Sequence, residues 1–212
     1  MKIIIFIILS IKRRDSRVSH VPKFNFSFIH IPKTGGSSLT RELSQRGLCL
    51  FNIGHTTLSE IHNGYSQEDF SPDLIKHPWD RNLILNSYKI ATVRHPYDRI
   101  RSYYRFLKNM YGFDMSLEEF VLRPPPHIKL ERAWWSQTSY LFLGDKMGMD
   151  RIIKFENMKQ ELRDLFKSVG YEFELKIHHH RTNSENIELT STVKDYLYDK
   201  YEKDFKNFNY KK

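Results

Sequence analysis

The chain has 212 residues, 40% of them hydrophobic and 14% aromatic, with only nine glycines and eight prolines. That is apolar material for one packed domain, and it excludes a collagen-like, low-complexity or wholly disordered chain. Thirty-four Lys and Arg stand against 25 Asp and Glu, a net charge of +9, so the expected partner is an anion: nucleic acid, acidic membrane, polyanionic glycan or a phosphate-rich nucleotide.

Residues 3–9 form an unbroken apolar run that Lys12, Arg13 and Arg14 close. A spanning helix needs about 20 apolar residues, and the basic stretch that follows is a poor leader-cleavage site. Three readings stay open: a core strand, a weak anchor, or the remnant of a longer signal-anchor. A soluble, cytoplasmic protein is favoured, with a Golgi or membrane-anchored one as the alternative, so membrane contact stays open. Residues 1–23 are set apart as apolar run and basic linker, and 24–212 as the folded domain.

Residues 24–31 read as a buried strand, continuously apolar at its end but for His30. A Pro-Lys-Thr-Gly-Gly-Ser-Ser turn follows. Leu39 and Leu43 then lie one helical turn apart, with Gly47 as a stop. The single cysteine, Cys49, excludes an intrachain disulfide framework and a cysteine-based zinc cluster. Residues 88–93 form a second strand, broken by Arg-His-Pro. Ile100, Tyr104, Leu107 and Tyr111 then share one helical face.

Ser116 and Glu119 make a capping box for a third helix, which ends before a loop at Pro124-Pro125-Pro126. Residues 131–143 read as a helix closed by Gly144. Residues 151–155 read as a strand, and Leu162, Leu165, Phe166 and Val169 as a helix ended by Gly170. Val193, Leu197, Tyr201 and Phe205 mark a last amphipathic helix. Strands alternating with helices predict an α/β fold: a mostly parallel sheet flanked by helices, with ligands beyond the carboxyl ends of the strands.

Two loops fall on that edge. In the first, Gly35 and Gly36 let the backbone approach an anion, and the helix start supplies free N–H groups. Lys33 adds a charge, and Thr34, Ser37 and Ser38 add hydroxyls. The lysine precedes the glycines, so this is not a Walker A loop. In the second loop, Arg94 at a strand end and Ser102 two turns into the next helix are placed to grip one phosphate from two sides. Asp98 reads as an N-cap or an arginine's partner, and Arg99, Arg101 and Arg105 as solvated.

FIHIPKTGGSSL followed by ATVRHPYDRIRSYYRF closely resembles the two nucleotide motifs of sulfotransferases that use 3′-phosphoadenosine 5′-phosphosulfate (PAPS). The nearest look-alikes are carbohydrate enzymes related to heparan sulfate 2-O- and 6-O-sulfotransferases, and small bacterial-type relatives. Weaker echoes lie at Gln137–Leu141, at Phe155–Met158 and at Asp204, Phe205 and Phe208. The resemblance implies a P-loop-like nucleotide-binding sulfotransferase fold. It assigns the 5′-phosphosulfate to Lys33, Thr34, Gly35, Gly36, Ser37 and Ser38, and the 3′-phosphate to Arg94 and Ser102.

By the same resemblance a loop before the last helix closes over the nucleotide, bringing Arg181 and Thr182 to a phosphate. A histidine after a glycine serves as base in the heparan sulfate relatives. His55 in NIGHT looks like its counterpart, with His62 next. Catalysis would then rest on His55 and Lys33, with PAPS as co-substrate, no metal, and a hydroxyl-bearing glycan or glycolipid as acceptor.

The remaining features read more plainly. His178, His179 and His180 point in different directions and lack a completing ligand pattern for a metal. Trp134 and Trp135 read as buried, and Glu156 as a helix cap. Two rivals remain. Against a P-loop-type small-metabolite kinase, the chain lacks a lysine after the glycines and an apolar strand ending in a magnesium-binding Asp. A non-catalytic polyanion-binding protein leaves the glycine loop unused, and nucleic acid is not the expected partner.

Overall fold

The structure, a computed structural model, describes residues 26–45, 49–53, 55–63, 82, 84–174 and 187–212. The apolar run at 3–9, the basic linker, the histidine triplet, Arg181 and Thr182 lie outside the described residues.

Four strands form one parallel sheet: β1 (Phe26–Ile29), β2 (Cys49–Ile53), β3 (Tyr88–Val93) and β6 (Arg151–Lys154), in the order β2-β1-β3-β6. Ile29 pairs with Ile53 on one side and Ala91 on the other, and Val93 pairs with Lys154. All four carboxyl ends therefore point one way. β2 had no counterpart among the expected strands, because a strand of five residues carries little local signal.

Alternation along the strands serves two cores. Phe26, Phe28, Ile90 and Ile153 face α1 (Gly36–Gln45) and α7 (Met158–Ser168), meeting Leu39, Leu43, Leu162 and Phe166. Ile29, Ala91 and Val93 face α2 (Leu58–Asn63) and α6 (Thr138–Leu141), meeting Leu58, Ile61, Tyr140 and Leu141. The sheet is thus covered by helices on both faces, as the alternation implied. A third core joins α3 (Pro96–Tyr111), α4 (Leu117–Leu122), α5 (Pro126–Leu130), α8 (Ser191–Lys200) and α9 (Glu202–Asn207).

Local signals explain several boundaries. The capping box at Ser116 and Glu119 is formed in both directions. Gly170 follows α7 with φ +76°, in the left-handed region that stops a helix. Pro126 opens α5 at its first turn, where a missing N–H costs nothing, although the three prolines read as loop.

Elsewhere the structure corrects the sequence. Residues 131–143 are not one helix: a 3-10 turn at Arg132–Trp134 is followed by α6 and by a hairpin of β4 (Phe142–Leu143) with β5 (Lys146–Met147). The cause is Asp204, fully buried, whose carboxylate accepts the N–H groups of Gln137 and Thr138 at 2.8 Å each and so starts a new helix there. The last helix also breaks, at Tyr201, whose hydroxyl donates to the Trp134 carbonyl. Trp134 is buried, as its place in an amphipathic segment implied. Tyr111 departs from its expected face: Ile100, Tyr104 and Leu107 are buried, while Tyr111, the last residue of α3, is 71% exposed. No helix among the described residues is long and apolar enough to cross a membrane.

Candidate active site

Four strand ends converge on one cavity of about 790 Å³. β1 delivers the loop of Lys33, Gly35, Gly36, Ser37 and Ser38. β3 delivers Arg94, β2 leads to His55, and β6 leads to Phe155. Ser102, on α3, lines it as well. The volume falls within the range of about 300–1,000 Å³ typical of small-molecule sites.

The glycine loop is shaped by its glycines. Gly35 has φ +83°, and a Cβ there would come within 2.6 Å of the Phe155 ring. A Cβ on Gly36 would fall 2.2 Å from His30 Cδ2. Lys33 also sits at φ +67°, an uncommon setting for a residue with a side chain. Its ammonium lies 4.0 Å over the Phe106 ring. Burial, and then the charge of Arg94, push the Lys33 ammonium down to about 8. Ser37 and Ser38 are exposed at the start of α1. Thr34 differs from expectation: fully buried, it donates its hydroxyl to the Ile31 carbonyl at 2.9 Å and pairs with Thr92 Oγ1 at 2.8 Å. Its hydroxyl ties β1 to β3 and is not offered to the cavity.

Arg94 is held by its backbone. Gln137 accepts the Arg94 N–H and donates to the Arg94 carbonyl, both at 2.8 Å. The guanidinium lies over Phe155, 4.2 Å from the ring centre, with Nη1 3.5 Å from the Lys33 carbonyl. Its Nε is buried and has no hydrogen-bond partner among the described residues.

His55 follows β2. Its carbonyl accepts from Arg132 Nη1 at 2.8 Å, while the same guanidinium pairs with both Glu60 oxygens at 2.8 and 2.6 Å. Burial, with Arg132, Lys33 and Arg99 adding repulsion, pushes the His55 imidazole down to about 4. The His30 ring meets it edge-on, with centroids 4.9 Å apart. Burial and the charges of His55 and Lys33 push His30 down to about 3. His30 lines the cavity and was not among the expected site residues, although it is the one polar residue at the end of its strand. His62 is exposed on α2 and does not line the cavity.

Other expectations change. Arg99 is not solvated: it is 1% exposed and donates to the Pro32 carbonyl at 3.0 Å and the Trp135 carbonyl at 2.8 Å. Asp98 partners Arg101 at 2.6 Å, and the N-cap is His95. Glu156 caps nothing; it accepts from the His95 N–H at 2.7 Å and from the Tyr210 hydroxyl at 3.0 Å. That ties the Arg94 loop to the chain's end. Among the described residues no three His, Cys, Asp or Glu gather as a metal would require.

The model of the sulfotransferase family matches residues 17–211. The chain belongs to the sulfotransferase family. A solved sulfotransferase from Alicyclobacillus acidocaldarius is similar in fold, with a TM-score of 0.52 and 18% identity over 90% of this chain and 95% of that one. Comparison with curated protein sequences gives no match. The cavity at the strand ends is thus the candidate active site of a sulfotransferase-family enzyme.

Proposed function

We propose that this sulfotransferase moves a sulfuryl group from PAPS to a hydroxyl, that of a carbohydrate, with His55 as base. The observation that carries the reading is Arg94. It lines the same cavity as Lys33 and the glycine loop. The planar fork of its guanidinium suits phosphate oxygens. The two cations repel each other across the cavity, and an anion between them relieves that repulsion.

In this reading Lys33, Ser37, Ser38 and the N–H groups at the start of α1 hold the 5′-phosphosulfate, on a loop whose Gly35 and Gly36 leave room for Phe155 and His30. Arg94 and Ser102 hold the 3′-phosphate, and the family resemblance assigns Arg181 and Thr182 to a phosphate as well. The acceptor oxygen bonds to sulfur as the bond from sulfur to the bridging 5′-phosphate oxygen breaks. The hydroxyl proton passes to His55, whose imidazole is neutral at pH 7. The electron pair of the broken bond stays on the departing diphosphate, where Lys33 and the helix start stabilise the new charge.

Calorimetry with 3′,5′-diphosphoadenosine, against ATP with magnesium, tests this. The diphosphate should bind, and Arg94→Ala should weaken it about 10- to 100-fold, the worth of a hydrogen bond to a charged group. Tight ATP binding with none of the diphosphate overturns the assignment. His55→Ala should keep diphosphate affinity and lose about 10²- to 10⁴-fold in turnover. Unchanged turnover would put the base elsewhere.

A further inference from the structure

One wall of the cavity is apolar. Phe106 and Tyr111 on α3, and Leu130 at the end of α5, line it while remaining 38%, 71% and 78% exposed. Scattered apolar side chains are ordinary on a surface; several gathered on one opening mark a binding surface. Two of them connect to the reacting centre. Lys33 Nζ lies over the Phe106 ring, and Phe106 meets Tyr111 edge-on with centroids 6.0 Å apart. An apolar path therefore leads from Lys33 to the rim, and exposure rises along it.

The neighbouring wall is polar and acidic. Glu131 lines the cavity between Leu130 and Arg132, and its carboxylate accepts the Tyr103 hydroxyl. The positive charge of Arg132 is already engaged with Glu60. A carboxylate here repels an anionic sugar and accepts from a neutral hydroxyl.

We propose that the acceptor is an uncharged amphipathic glycoside, its sugar hydroxyl reaching His55 and Lys33 and its alkyl or aryl body lying on Phe106, Tyr111 and Leu130. This rests on the sulfotransfer reading of the same cavity and names its acceptor class. The shape of the wall divides such a molecule in two: hydrogen-bonding groups at the floor, apolar surface at the mouth.

The test is a titration of the protein, saturated with 3′,5′-diphosphoadenosine, with alkyl β-D-glucosides from methyl to heptyl, each below its micelle concentration. Affinity should rise about two- to fourfold per added methylene, as burial on an apolar wall requires. Leu130→Ser and Tyr111→Ser, both at exposed positions that the fold does not need, should flatten the series. A series flat in the wild type, a slope untouched by either variant, or tighter binding of a carboxylated or sulfated oligosaccharide overturns the proposal. Failure to bind the diphosphate counts against the nucleotide reading instead, and the same series on the protein alone then still reads the wall.

Discussion

Lys33 occupies a left-handed backbone position, half buried, beside a second cation. That arrangement is costly for a protein that only has to fold, and it places a low-lying ammonium where an anion would sit. With its ionisation pushed down to about 8, Lys33 is charged by roughly ten to one at pH 7 and half charged near pH 8. An anion beside it favours the protonated form, so binding above pH 8 must take up a proton. Affinity for 3′,5′-diphosphoadenosine should therefore fall up to about tenfold per pH unit between pH 8 and 10. Calorimetry at pH 8 in buffers of different ionisation enthalpy should show uptake of about half a proton. Lys33→Met should bind more weakly and lose this slope; a slope that survives the substitution belongs to another group. His55 follows the same physics, since neutralising Lys33 lifts one of the charges that depress its imidazole.

Between elements, the site is held by polar side chains that reach across long stretches of chain. Gln137 takes both backbone groups of Arg94, and Asp204 fixes the backbone of Gln137 and Thr138. Gln137→Ala would leave a buried N–H and C=O of Arg94 unsatisfied. It should cost about 2–4 kcal/mol in chemical denaturation and weaken diphosphate binding as Arg94 loses its seat. A variant as stable as the wild type would show that water replaces the amide. These same contacts mark how far the sequence could be read. The glycine loop, Arg94 at a strand end and the capping box at Ser116 are local patterns, and each was legible from its neighbours. The inward turn of Arg99, the role of Gln137 and the break that Asp204 imposes on residues 131–143 depend on partners dozens of residues away. Buried polar pairing leaves no periodic trace. His30 was the middle case: a polar residue in an apolar strand was visible, but its contact with His55 needed β2 placed beside β1.

For the molecule as a whole, the positive, buried site makes folding sensitive to acid. His30 and His55 have folded-state values near 3 and 4, against about 6.5 when unfolded. Between those values the unfolded chain binds protons that the folded one refuses, so stability rises with pH through this window and is lost as pH falls below about 6.5. Each histidine contributes a slope of about 1 kcal/mol per pH unit while only the unfolded state is protonated. Glu60, held near 2 by Arg132, acts in the same sense lower down: its pairing stabilises above about 4.5 and is lost as pH falls towards 2. For a chain of this size about 1 kcal/mol moves Tm by roughly 2–4 °C. Thermal unfolding should therefore lose several degrees per pH unit between pH 6.5 and 4.5, before the carboxylate adds its share. His30→Gln and His55→Gln should each make that decline shallower, whatever they do to Tm at pH 7.5. If both variants track the wild type, the acid response originates in other groups. A shallower decline in both would tie the stability of the whole fold to the imidazoles buried beside Lys33, so that the arrangement preparing the site for an anion also sets its tolerance of acid.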